Sequence, residues 1–154
     1  MKIISGLLAG LVLSATSVLA DEPVSPEAAV TRLFEGMLAG NGAIISSLVA
    51  PGARLDRLQP DGSLKHGEFT SWIAWVDQQQ PGDADEQIFA VKTLQRSAEL
   101  ATVWAPFQLH YKGEFVGCGV NQFTLARSKD GWRIVYAIDM PYKGDCAAFR
   151  ASLE

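Results

Sequence analysis

Asn121 and Asp139 stand out because each interrupts an otherwise apolar, strand-like run, residues 116–127 and 132–141. The segment between them, Ser128-Lys129-Asp130-Gly131, is turn chemistry, so the two runs form an antiparallel hairpin. Suppose Ser128 and Trp132 close a type I turn over Lys129-Asp130, with Gly131 in the left-handed position. Leu125 then faces Val135, Phe123 faces Ala137 and Asn121 faces Asp139. A two-residue Asp130-Gly131 turn exchanges these partners, because a one-residue slip turns every side chain to the other face. In the first register one face is apolar at its closed end and carries an amide and a carboxylate at the other. A carboxylate among apolar neighbours loses hydration, which favours its protonated form. Such a group can act as a base near neutrality or donate a hydrogen bond to a developing oxyanion. The competing reading is a structural patch, in which the two side chains bond each other or the chain end at Tyr142-Lys143.

The remaining chemistry-bearing residues are sparse. His66 and His110 are the two histidines. With no cysteine or acid beside them at ligand spacing they make no metal site. His66, next to Gly67, is a general-acid candidate or a solvated turn residue; His110 ends a strand and is expected to be exposed. Trp72, Trp75 and Trp104, with Phe107 and Phe123, are the candidate aromatic lining for a ligand. Against that, Trp72 belongs to a helical core stripe, while Trp75 falls off it toward a rim or partner surface. There is no Gly-x-Ser-x-Gly elbow, glycine-rich phosphate loop or dinucleotide fingerprint. No cofactor is expected.

Cys118 and Cys146 are the two cysteines. In the register above Cys118 faces position 142, and Lys143-Gly144-Asp145 can turn the chain so that Cys146 returns to it. A structural disulfide is expected, and a redox-active pair is the weaker reading because no Cys-x-x-Cys is present.

The elements that must position these groups follow from pattern. Met1 to Ala20 has Lys2, a short apolar run and small residues before a cut after Ala20, the grammar of a cleaved secretory signal. Residues 21–154 then form one domain, periplasmic or secreted. With 13 basic and 17 acidic side chains and no charge block, nucleic acid and anionic lipid are poor partners, and after cleavage no membrane association is expected. Ser25-Pro26-Glu27 opens a helix carrying Val30, Leu33, Phe34, Met37 and Leu38 on one stripe. Ile44, Ile45, Leu48 and Val49 make a second, stopped by Pro51-Gly52. Residues 54–58 and 63–65 flank the turn Pro60-Asp61-Gly62. Phe69, Trp72, Ile73 and Val76 make a third helix. Four strands follow, at 87–96, 100–111, 116–127 and 132–141, joined by short turns as a meander.

This order resembles the nuclear transport factor 2-like superfamily, and within it the SnoaL-like and ketosteroid-isomerase-like members. The resemblance is carried by the first helix ending at Ala39-Gly40-Asn41-Gly42, by Asp61-Gly62 followed by His66-Gly67-Glu68-Phe69, by Ala101-Thr102-Val103-Trp104-Ala105-Pro106-Phe107, and by the final hairpin Phe123 to Ile134. It spans roughly residues 25 to 142. It implies a cystatin-like α+β cone, three N-terminal helices packed in a strongly curved, mostly antiparallel sheet, with an apolar pocket open at one end. Asn121 falls near where the ketosteroid-isomerase-like pattern has an oxyanion-stabilising acid, and an amide cannot supply that proton. The family commonly dimerises through its outer sheet face. Here that face is read as Trp132, Ile134, Tyr136 and Ile138, which gives a homodimer, or a tail from Ala147 to Leu153 folded back as cover. Two functions are expected from different classes. One is an exported module binding a small apolar or aromatic molecule, or a protein partner. The other is a cofactor-independent isomerase or dehydratase using Asp139, with Asn121 and His66 orienting a carbonyl.

Overall fold

The computed structural model describes residues 24–154. The expected leader, Met1 to Ala20, lies outside them. No helix among the described residues is long and apolar enough to cross a membrane.

Helix α1 (Pro26–Leu38) starts where its capping chemistry says it should: the Ser25 side chain accepts from the Ala28 N–H at 3.0 Å, and proline occupies the first helical position. Helix α2 (Gly42–Leu48) is capped by Asn41, and the Gly42 N–H is accepted by Asp77 at 2.7 Å, which ties it to the end of α3 (Phe69–Val76). The seven strands are β1 (Val49–Leu58), β2 (Leu64–Lys65), β3 (Ala84–Ile88), β4 (Lys92–Gln95), β5 (Leu100–Tyr111), β6 (Glu114–Ser128) and β7 (Gly131–Pro141). They form one curved, unclosed sheet in the order β2-β1-β7-β6-β5-β3, with β4 also on β5. A short helix, α4 (Cys146–Ala151), ends the chain. The result is the expected α+β cone. Val30, Leu33, Phe34 and Met37 of α1 pack with Val103, Phe123, Leu125 and Ile134 of the sheet's concave face, and Phe34 meets Phe123 edge-on at 6.0 Å.

Four details depart from the sequence reading. The stretch read as one strand at 87–96 is two, broken at Ala90, which takes φ 44; alanine seldom enters that region, so nothing in the pattern announces the break. Strand β1 begins at Val49, ahead of the expected stop at Pro51-Gly52, and pairs parallel with β7. The tail forms α4. The fourth departure is the register of the last hairpin. Gly131, not Trp132, pairs with Ser128, and Leu125 faces Ile134 rather than Val135. A β-bulge at Val135 then restores the expected partners, so Phe123 faces Ala137 and Asn121 faces Asp139.

That bulge corrects the assignment of faces. Trp132 and Ile134 are buried in the core, 2 % and 0 % exposed, and only Tyr136 and Ile138 of the expected strip lie outside. On the outer face Ile138 shares a rung with Gln122 and Trp104, and Trp104 is 51 % exposed. The tail covers a different part of this face. Phe149 of α4 stacks on Tyr142 at 4.6 Å and meets Phe89 edge-on, while Arg150 lies over the Phe89 ring and bonds Gln108. The expected Cys118–Cys146 disulfide is present, with the Tyr142 N–H donating to the Cys118 carbonyl beside it.

Candidate functional site

The concave face leaves a cavity of about 330 Å³. Its apolar walls are Leu33 and Phe34 from α1, Phe69 and Trp72 from α3, Leu55 from β1 and Phe123 from β6. Its polar end is one rung of the sheet. Arg57 on β1, Asp139 on β7 and Asn121 on β6 are successive register partners. On β5 the same rung holds Ala105, whose methyl group cannot reach into the space. Glu86 fills that gap: it extends from β3 across β5 and accepts a hydrogen bond from Asn121 Nδ2 at 2.7 Å.

The four groups have unequal commitments. Both oxygens of Asp139 accept from the Arg57 guanidinium, Nε to Oδ1 at 2.9 Å and to Oδ2 at 2.8 Å, with Nη2 also on Oδ2. Asp139 holds Arg57's pKa above its usual value, against the pull of burial. Asp139 therefore faces the cavity as expected, but as half of an ion pair rather than as a lone carboxyl among apolar neighbours. This removes the premise on which it was read as a free acid or base. Glu86 is the group in that situation. Burial pushes its pKa up to about 7; the Asn121 hydrogen bond opposes this, the charge of Asp139 adds to it and that of Arg57 opposes it. Glu86 thus exchanges its proton near neutrality. Among the described residues no group of three or more His, Cys, Asp or Glu side chains gathers as a metal would require.

The structure brings Asn121, Asp139, Trp72 and Phe123 together in the cavity and leaves the other candidates outside it. His66 sits at the lip, its ring on Arg54 and on the buried Asp56 carboxylate at 3.2 Å. Asp56 also accepts from the Gly67 N–H and the Tyr136 hydroxyl. Burial raises its pKa, but the bonds from His66, Gly67 and Arg54 outweigh that and hold it low. Trp75 lies against Tyr111 away from the cavity, and Trp104 is on the outer face. Phe107 is buried where its ring covers Gly119, at a spot a Cβ would enter. His110 meets Phe115 edge-on and does not line the cavity.

A sequence model of the family described as "Putative lumazine-binding" matches residues 23–138. The chain belongs to that family. A search among curated proteins gives no match. Solved structures similar to this lumazine-binding-family chain share its fold at low identity. An NTF2-like protein with a cystatin-like fold from Novosphingobium aromaticivorans, NTF2 being nuclear transport factor 2, is 17 % identical, covers 81 % of this chain and 83 % of its own, and gives a TM-score of 0.60. A cystatin-like domain from Nostoc punctiforme gives 0.60 at 12 % identity, covering 81 % and 80 %. A "putative dehydratase from the NTF2-like family" of Streptomyces avermitilis gives 0.57 at 16 %, covering 75 % and 93 %. At these identities they show a shared fold, the cystatin-like cone that the sequence resembles.

Proposed function

We propose that the cone binds a small planar aromatic or heteroaromatic molecule, its faces against Phe34, Phe69, Trp72 and Phe123 and its polar edge toward Glu86 and Asn121. The observation that carries this reading is the cavity itself, about 330 Å³, with four aromatic side chains in its lining and Arg57, Asp139, Asn121 and Glu86 gathered at one end. That volume lies at the small end for ligand pockets and suits one or two fused rings. The family's description supports it, since lumazine is a two-ring heterocycle of this shape. A leader-like start and the Cys118–Cys146 bridge support action in an oxidising compartment, periplasmic or secreted, by one domain spanning 21–154. The outer face supports a homodimer, now centred on Trp104 and Ile138 rather than on Trp132 and Ile134. Native mass spectrometry of protein taken from its own compartment tests these together. A dimer mass with a retained aromatic molecule is expected. A bare chain whose melting temperature no aromatic heterocycle raises would overturn the ligand reading.

A second reading keeps the acid–base isomerase or dehydratase, with Glu86 in the role first given to Asp139. The favouring observation is a carboxyl in the cavity that exchanges its proton near pH 7, where general acid–base groups work best. In that case Glu86→Gln abolishes turnover while binding persists.

A further inference from the structure

The polar end of the cavity is only partly used by the protein itself. Asn121 Nδ2 donates to Glu86 Oε1, a bond that the carboxylate and the carbonyl oxygen of the protonated acid can both accept. Among the described residues no other group bonds the Asn121 side chain or the second oxygen of Glu86, whereas both oxygens of Asp139 are taken by Arg57. Three polar functions therefore remain on this pair: the Asn121 amide oxygen, which accepts, its second Nδ2–H, and the second Glu86 oxygen, which donates when the carboxyl carries its proton. The complement of the amide oxygen and the carboxyl donor is one edge bearing an N–H beside a C=O.

Resting on the aromatic-ligand reading, we propose that this site recognises the lactam edge of a planar heterocycle. The Glu86 carboxylic acid donates to the lactam carbonyl and Asn121 Oδ1 accepts the lactam N–H. The ring system lies among Phe34, Phe69, Trp72 and Phe123. The Asp139–Arg57 pair holds the rung in place: both Asp139 oxygens are taken by Arg57 Nε and Nη2, and Arg57 Nη1 is left over as a cationic donor beside the edge. Binding then requires protonated Glu86. The charged groups facing Glu86 are Asp139 from β7 and Arg57 from β1. Helix α1 contributes Leu33 and Phe34, and the buried Asp56 and the exposed Lys65 and Glu68 also line the cavity. Affinity is constant below about pH 7 and falls above it, because only the protonated fraction binds.

The probes are 2-quinolone, which has the lactam edge, N-methyl-2-quinolone, which lacks its N–H, and naphthalene, which has neither polar group. Each is titrated calorimetrically into the purified protein between pH 5.5 and 8.5. The expected result is that 2-quinolone binds at least about tenfold tighter than its N-methyl form, since an unmatched buried acceptor is costly. Its affinity drops about tenfold per unit well above pH 7. Glu86→Gln, whose amide can donate at every pH, holds the affinity flat through pH 8.5. Equal binding of the two quinolones, or the same pH dependence in Glu86→Gln, overturns the lactam assignment. Naphthalene binding with no quinolone binding also overturns it and leaves the aromatic-cavity reading standing. Failure of all three probes overturns both.

Discussion

Glu86 is held where ionisation is expensive, and this makes it an energetic liability as well as a recognition group. Its pKa rises from an ordinary 4.5 to about 7 in the folded chain. Between those values the folded state binds a proton that the unfolded state has released. Stability therefore falls as pH rises through this window and levels off above it, by an amount on the order of 3 kcal/mol. Glu86→Gln removes the titration and keeps an oxygen for Asn121 to bond. Urea unfolding is expected to give near-equal stabilities for the two proteins at about pH 4.5 and a more stable variant at pH 8; parallel pH curves would contradict this. The same residue marks the limit of what the sequence discloses. Asn121 and Asp139 were legible because they share a hairpin whose turn is local. Glu86 and Arg57 reach them only through β3–β5 pairing and the parallel β1–β7 pairing, with a sequence separation of 82 from Arg57 to Asp139. One signal was present: Ala84, Glu86 and Ile88 share a strand face, which puts a charge between two apolar neighbours.

At the scale of elements, the Val135 bulge decides what β7 presents to the interior. Without an extra residue, alternation forces a choice. Either Trp132 and Ile134 point inward, or Ala137 and Asp139 do. The bulge permits both, burying the first pair in the core and placing Asp139 at the cavity. The turn signal Lys129-Asp130-Gly131 located the hairpin correctly, but it could not reveal an offset made five residues away and absorbed before Asn121. The expected register was therefore right at the site and wrong at the closed end, which is why a core tryptophan was read as surface. Deleting Val135 restores strict alternation and must expel one of the two pairs. Burial of Trp132 and Ile134 is worth roughly 2–3 kcal/mol each, so the chain should keep them inside and turn Asp139 away from Arg57. Urea unfolding is expected to show a loss of at least about 2 kcal/mol, with loss of aromatic-ligand binding. A variant that keeps wild-type stability and binding would show that the bulge does not set the faces.

At the scale of the molecule, the bridge joins a stable cone to a weak appendage. None of the residues of α4 is buried, and six residues are too few for a helix to persist alone. Asp145 caps it by accepting from the Ala147 and Ala148 N–H groups, and Phe149 and Arg150 hold it against Tyr142, Phe89 and Gln108. Cys146 fixes its first turn to Cys118, which is buried in the sheet at 3 % exposure. The sequence separation of 28 gives the bridge a chain-entropy contribution of about 3–4 kcal/mol. Reduction should therefore act at two levels. The whole fold loses roughly 3 kcal/mol, while α4 loses its anchor outright and opens well below the global transition. Hydrogen exchange on reduced protein under native conditions is expected to show amides 146–151 exchanging nearly as fast as in an unfolded chain. Those around Phe123 and Leu125 in β6 should remain protected up to the lowered global stability. Equal protection of α4 in the oxidised and reduced forms would mean that its aromatic contacts alone hold it. The bridge would then act only by restricting the unfolded chain, without positioning the tail.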